Sequence, residues 1–345
     1  MAVPFPPPTM RAWQYSSTKG GLERNLKINP SAPVPVPKPN QNLVQVIATA
    51  LNPVDYKPAE VPLVGRFIIS KPATPGLDFA GRIVTPASNS SFKKGDLVFG
   101  LSGSTPFEGK GALREFTCSE KENCVAVPEG VDPVDAAIVG VAGLSAYQSI
   151  VQRVKKGDKI FINGGSGGCG TFGIQIAKTV GCHVTTTCST PNVALCKSLG
   201  ADEVVDYRKS NVLEALKASG TKFDHVVDNV GGDLTLYWGC HEFTKPDAVY
   251  VMVGHSPSPG NLGNSIKARV LPGFLGGGQR KKEGFWPKLR KEDLEQIGKW
   301  MKEGKVKAVI DSRFPFEQVP QAFEKLKTGR AKGKVVVDVA PISGS

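Results

Sequence analysis

KIFINGGSGGCGTFGIQIAKTV, residues 159–180, decides how the second half of this chain folds. Lys159–Asn163 is a short apolar run of the kind a fully buried strand shows, and Thr171–Val180 carries a helical pattern. Between them Gly165-Ser166-Gly167-Gly168-Cys169-Gly170 spells G-x-G-x-x-G. In that pattern the first glycine permits a tight turn, the second lets the backbone approach a pyrophosphate, and the third lets helix and strand pack closely. The unpaired N–H groups at the helix start then present a partial positive charge to the anion. Strand, turn and helix in this order predict a dinucleotide site at Gly165, Ser166, Gly167, Gly168, Cys169 and Gly170.

Outward from the turn, HVTTTC (183–188), a helix around NVALCKSLG, EVVDY, FDHVVDNV and AVYVMVG alternate short buried-type strands with helices. That rhythm predicts an α/β fold with a doubly wound parallel sheet. Upstream, residues 132–154 have helical spacing through Ile138, Ala142, Ala146 and Ile150. From Met10 to about Val127 the chain instead reads as strands (NLVQVIATALN, GRIVTPA, GDLVFGL) punctuated by Pro and Gly, an irregular β domain. After Gly284, KEDLEQIGKWMKEG and Pro320–Thr328 read as helices, and VIDSRFPF and KVVVDVA as strands that rejoin the β domain. The expected division is residues 1–130 with 285–345, and 131–284.

The second strand ends in Cys188-Ser189-Thr190-Pro191-Asn192, and no Asp or Glu occurs from Lys159 through Ala201. Folds of this type that take NAD place a carboxylate about 20 residues beyond the glycine motif, on the ribose 2′-hydroxyl. Without that charge a 2′-phosphate is not repelled, and Ser189, Thr190 and Asn192 offer it hydroxyl and amide donors, with Lys197 and Tyr207 as further contacts. NADPH is therefore the expected cofactor.

Rival chemistries are visible in the same residues. Gly164-Gly165-Ser166-Gly167-Gly168 also reads as G-x-S-x-G, the nucleophile elbow of a serine hydrolase, with Asp228 and His255 downstream in the order such a triad requires. Gly170, the missing carboxylate and the β-rich first part weigh against it. The four histidines and seven cysteines form no H-E-x-x-H and no C-x-x-C, so no metal site is expected.

At 345 residues, 40% hydrophobic and 21% charged, the composition suits two globular domains and excludes fibrous and disordered classes. An odd cysteine count argues against a disulfide scaffold, and neither a leader nor an apolar run of about 20 residues is seen, so a cytoplasmic location is the default. Half of the net charge of +12 falls in residues 257–305, with eleven Lys or Arg against five acids. Within it QRKKEGFWPKLRK mixes Phe285 and Trp286 with cations. This pattern suits peripheral contact of residues 280–291 with an anionic membrane, or a solvated loop. No nucleic-acid partner is expected, and a homodimer is the commonest closed assembly.

Six motifs occur in order along the chain: Asn52-Pro53-Val54-Asp55-Tyr56-Lys57, Pro75-Gly76-Leu77-Asp78-Phe79-Ala80-Gly81, Val141-Ala142-Gly143-Leu144-Ser145-Ala146, the glycine turn, Asp228-Asn229-Val230-Gly231-Gly232 and Gly333-Lys334-Val335-Val336-Val337. Together they resemble the medium-chain dehydrogenase/reductase superfamily. More narrowly they resemble its zinc-independent quinone oxidoreductase branch, which chloroplast-envelope, fungal zinc-type and trans-acting enoyl-reducing sequences also resemble. The resemblance implies a Rossmann sheet plus a β-rich GroES-like catalytic domain. It implies that Asn52 and Tyr56 face nicotinamide and substrate, that Ser145, Asn229, Val230, Gly254, His255 and Lys334 surround the cofactor, and that Ser189, Asn192 and Tyr207 meet the 2′-phosphate. At the zinc-ligand positions of metal-dependent members this chain has Asn52 and Leu77-Asp78.

The resulting expectation is an NADPH-dependent, metal-free oxidoreductase that passes hydride to the C=C bond of an enone or enal, or to a quinone. Tyr56 and Asn52 would serve as donors to the oxygen that gains charge. The alternatives are a trans-acting enoyl reductase, a serine hydrolase using Ser166, and a membrane-docking protein that binds NADPH without turnover.

Overall fold

A computed structural model describes residues 6–103, 105–231, 234–253 and 278–340. In chain order its strands are β1 (Thr9–Gln14), β2 (Lys27–Pro33), β3 (Gln41–Leu51), β4 (Asp78–Thr85), β5 (Leu97–Leu101), β6 (Phe116–Glu120), β7 (Cys124–Ala126), β8 (Lys159–Asn163), β9 (His183–Cys188), β10 (Glu203–Asp206), β11 (Phe223–Asp228), β12 (Thr244–Met252), β13 (Lys281–Gly284), β14 (Ile310–Pro315) and β15 (Lys334–Asp338). They belong to two compact units. One holds the chain up to Leu144 with Lys288–Gly304 and the chain from Ala308; the other holds Ser145–Pro287 with Lys305–Lys307. Among the described residues no helix is long and apolar enough to cross a membrane.

The second unit is built on a six-stranded sheet in the order β10-β9-β8-β11-β12-β13, every neighbouring pair parallel. The chain runs outward from β8 to β10, then returns to β11 on the other side of β8. Ligands of such sheets bind at this reversal, beyond the carboxyl ends of the strands. The inner strands are buried on both faces, which is why they read as unbroken apolar runs: Ile160, Phe161, Ile162, Val226 and Val227 are inaccessible or nearly so. Phe161, Phe223 and Phe243 pack against one another in tilted and edge-to-face contacts, with centroids 5.7, 5.9 and 6.2 Å apart. Gln175 closes a backbone-like pair with Lys307: its Nε2 donates to the Lys307 carbonyl (3.0 Å) and its Oε1 accepts from the Lys307 N–H (2.8 Å).

The first unit holds a seven-stranded sheet, β14-β15-β3-β4-β5-β7, with β6 also paired to β3, and a separate β1–β2 ribbon. Its pairs are antiparallel except β14–β15, and the tail strand β15 lies beside β3 with Val336 opposite Ala50. Phe79, Ile83, Val98, Leu113, Phe323 and Val337 form the middle of its core.

Three features differ from the sequence reading. Residues 131–144 group with the first unit, because the helix Pro133–Ala137 packs on β3, β4 and β5. The single helix expected over 132–154 is two, Pro133–Ala137 and Gly140–Ile150. The cause is Asp78: its Oδ1 accepts the Val141 N–H at 2.8 Å, and a Cβ on Gly140 would overlap that carboxylate, whose Cγ lies 2.8 Å away. A fresh helix N-terminus therefore starts where the anion sits. Finally, the basic stretch includes edge strand β13, where Lys281–Gly284 pairs with Val249–Met252. Charged residues on an edge discourage further strand pairing, and they hide the strand from hydrophobic pattern analysis.

Candidate functional site

In the second unit the glycine turn follows β8, at the carboxyl edge of the sheet. Gly164 turns the chain at φ +81°, a left-handed conformation that favours glycine. The Thr187 strand end pins it: Gly164 N–H donates to Thr187 Oγ1 (2.8 Å), Gly165 N–H to the Thr187 carbonyl (2.9 Å), and Thr187 Oγ1 to Asn163 Oδ1 (2.6 Å). A Cβ on Gly165 would overlap Thr186 Oγ1, and one on Gly170 would overlap the Gly164 carbonyl oxygen and lie 2.7 Å from Gly165 Cα. Gly167 is different: its Cβ would meet only the Gly164 oxygen, at 3.6 Å. Two glycines are thus required by protein packing, and the third leaves the backbone open to a ligand. Gly167 is also the N-cap of the helix Gly168–Thr179 and supplies no side-chain cap, so the positive end of that helix faces the turn without a protein side chain capping it. Cys169 lies half-buried in its first turn.

Ser166 is not a nucleophile in waiting. Its Oγ accepts from Asn192 Nδ2 (3.0 Å), while Asp228 is spent on Asn163 Nδ2, the N–H groups of Val230 and Gly231, and the Tyr250 hydroxyl. A hydrolase triad needs that carboxylate to orient a histidine. Gly254 and His255 lie outside the described residues.

At the end of β9, Ser189 is half-buried, Thr190 is exposed and Asn192 is buried, its Oδ1 without a hydrogen-bond partner among the described residues. Tyr207 is 51% exposed, and its N–H donates to the Cys188 carbonyl (3.1 Å). Lys197, by contrast, turns to the Asp202 carbonyl. Sequence spacing missed Asp206. Strand register places it opposite Cys188, and the Thr190 hydroxyl holds its carboxyl below the usual range. Only the β9–β10 pairing could reveal it, because Asp206 is too far along the chain for the usual spacing rule. Asn229 Nδ2 donates to the Asn163 carbonyl (3.2 Å), Val230 is 56% exposed, and Ser145 is buried.

The first unit contains a closed polar cluster. Asn52 Nδ2 donates to Asp78 Oδ2 (2.9 Å) and to the Ala50 carbonyl (3.3 Å); Lys334 Nζ donates to Asn52 Oδ1 and to Asp78 Oδ2 (3.3 Å). All three side chains are buried. The amide hydrogens of Asn52 are therefore occupied, and Asn52 acts here as a bridge rather than as a donor to substrate. Lys334 likewise faces Asp78 and Asn52. Tyr56 belongs to another cluster: its ring lies under Lys327 Nζ (5.0 Å to the centroid), which also bonds Glu23 and Glu60. Burial, then Glu60, pushes the Tyr56 phenol above its ordinary value, so it keeps its proton at neutral pH.

Asp55 accepts the N–H groups of Asn52 (2.6 Å) and Leu77 (3.0 Å), yet burial, then repulsion from Asp78, pushes its carboxyl up to about 7. An unfolded Asp ionises near pH 4 (about 3.9), so between there and about 7 the folded chain holds a proton the unfolded chain has lost. Stability is therefore expected to fall as pH rises through that window, by at most about 1.4 kcal/mol per pH unit, and to level off above it. Urea unfolding of the wild type and D55N checks this; identical pH profiles would refute it.

Residues 280–287 of the basic stretch lie in the second unit. There Arg280 donates to Thr244 Oγ1 (3.0 Å) and to the carbonyls of His241 and Thr244 (both 3.2 Å), Lys281 pairs with Glu283 (2.8 Å), and Lys282 lies over the Tyr237 ring (5.2 Å). These cations support the sheet edge.

The alcohol dehydrogenase GroES-like domain matches residues 38–129, and the zinc-binding dehydrogenase family matches residues 199–337. Trans-enoyl reductase pgmF of Aspergillus terreus is 51% identical, covering 96% of this chain and 97% of its own. The chloroplastic NADPH-dependent alkenal/one oxidoreductase of Arabidopsis thaliana is 33% identical over 97% of this chain and 81% of its own. Among solved structures, the quinone oxidoreductase from Coxiella burnetii superposes with a TM-score of 0.81 at 30% identity, over 96% of this chain and 99% of that one.

Proposed function

Because this chain belongs to the medium-chain dehydrogenase/reductase family, an oxidoreductase with relatives among enoyl, alkenal and quinone reductases, we propose that it reduces the conjugated C=C bond of an enone, enal or enoyl group, or a quinone, with NADPH. The nicotinamide coenzyme fits the residues present: Gly167 leaves the backbone open beside an uncapped helix N-terminus at the sheet's reversal point. Bound there, it supplies hydride. Ser189 and Tyr207 offer hydroxyls to a 2′-phosphate, while Asp206, which engages the Thr190 hydroxyl, limits the preference over NADH.

Zinc, which the name of one matched family implies, does not fit. Protein zinc is held by thiolates, imidazoles and carboxylates, whereas here an amide and a carboxylate close on the Lys334 ammonium. This closed cluster carries the choice of substrate. Where the zinc-ligand positions hold an amide and a carboxylate tied to an ammonium, a conjugated acceptor, which delocalises the incoming charge onto its own oxygen, suits the chain better than a simple ketone. The Tyr56 hydroxyl, protonated at neutral pH, is the donor for that oxygen.

Mixing the protein with NADPH and a panel of alkenals, enones, quinones and simple ketones, with and without chelator, tests this by loss of the reduced coenzyme's absorbance. Oxidation with the conjugated substrates, unchanged by chelator, is expected. Turnover confined to simple alcohols and ketones and dependent on added zinc would overturn the reading.

A further inference from the structure

We propose that Asp228 is a positioning residue for the coenzyme, a hub that locks the loop 229–231 to the glycine turn; the inference rests on the coenzyme reading given above. Asp228 is buried at the carboxyl end of β11. Oδ1 accepts Asn163 Nδ2 (2.8 Å), the residue that ends β8 and starts the glycine turn, together with the N–H groups of Val230 (3.0 Å) and Gly231 (3.1 Å). Oδ2 accepts the Tyr250 hydroxyl from β12 (2.7 Å). One carboxylate thus joins three adjacent strands at the edge where the coenzyme is placed.

The two loops it joins are in contact. Asn229 donates through both its backbone N–H and Nδ2 to the Asn163 carbonyl (3.2 Å each), and a Cβ on Gly164 would lie 2.9 Å from Val230 Cγ2. Without the carboxylate, the Val230 and Gly231 N–H groups and the Asn163 amide lose a shared acceptor in a buried place, and the exposed Val230 is released from the turn. The effect belongs to coenzyme binding, because every group that Asp228 holds lies on the coenzyme unit.

The geometry also predicts a rescue. Asparagine can keep its Oδ1 for Asn163, Val230 and Gly231 and turn its amide to the Tyr250 oxygen, since a phenol both donates and accepts. Serine reaches neither set.

The test uses the full-length protein. NADPH affinity is followed by coenzyme fluorescence, and KM for coenzyme and for an enone are measured separately from kcat, for wild type, D228S, D228N and N163A. Expected are a rise of about tenfold or more in coenzyme KM for D228S, a smaller rise for N163A, and recovery of most of the loss by D228N. The kcat at saturating coenzyme should stay within about threefold. Coenzyme KM within about twofold of wild type in D228S and N163A overturns the proposal, as does D228N behaving like D228S, which would make charge the cause. Should D228S not fold, N163A decides, because Asn163 is only half-buried. If the wild type itself binds no NADPH, the coenzyme reading has failed; if wild type and variants bind equally, the hub has failed.

Discussion

Replacing Lys334 with methionine is expected to cost about 3–5 kcal/mol of folding stability, the range found when one partner of a buried ion pair is removed. The Asp78 side chain is wholly inaccessible and that of Lys334 is 3% exposed, so solvent cannot take over the abandoned charge. Burial already pushes the Asp78 carboxyl above its ordinary value, and Lys334 is the largest influence pulling it back. In K334M the folded pKa of Asp78 therefore rises further above the unfolded value. The folded variant then binds a proton more tightly than the unfolded chain, and its deficit should shrink as pH falls toward the unfolded Asp value. The double variant D78N/K334M removes both charges and is expected to recover a substantial part of the loss. Urea unfolding across the four members of this cycle reads the coupling. A loss below about 1 kcal/mol for K334M, the scale of an exposed pair, would show that the pair is solvated in solution.

Gly170→Ala is expected to remove coenzyme binding and to destabilise the fold by about 1–3 kcal/mol, the cost of forcing atoms into a packed place. Every atom that its Cβ would meet is backbone, in Gly164 and Gly165, so relief requires moving the turn itself. Gly167→Ala is the matched contrast. Its Cβ would make only an ordinary van der Waals contact, with the Gly164 oxygen at 3.6 Å, and an N-cap Gly to Ala change costs at most about 1 kcal/mol. A methyl there nevertheless occupies the approach of a pyrophosphate, so coenzyme KM should rise by about tenfold or more while the melting temperature barely moves. Thermal melts beside coenzyme titrations separate the two variants. A G170A protein with wild-type affinity, or a G167A protein unchanged in both measurements, would contradict this account of the turn.

These cases show what local sequence makes legible. The strand, turn and helix of residues 159–180 are a contiguous device whose parts lie within one turn of each other, so glycine spacing and an apolar run specify them. The same holds for β9, β11 and β15, buried strands whose composition announces them. Strand β13 was illegible as a strand, since its four residues, Lys281-Lys282-Glu283-Gly284, follow the needs of an edge rather than a core. The break between the helices Pro133–Ala137 and Gly140–Ile150 was hidden too, because its cause, Asp78, lies on another strand.

Sequence alone therefore determined the doubly wound sheet, the glycine cradle, the β-rich companion unit and the family, since all depend on short-range periodicity or on motifs in order. Only the tertiary structure decided what the isolated polar residues do. It joined Asn52 to Lys334 across 282 positions, brought Asp206 beside Cys188 through strand register, and turned Asp228 from a triad candidate into a hub of hydrogen bonds. The physical reason is that a buried polar group must find a partner, and the partner is chosen by whatever the fold places within about 3 Å, at any distance along the chain.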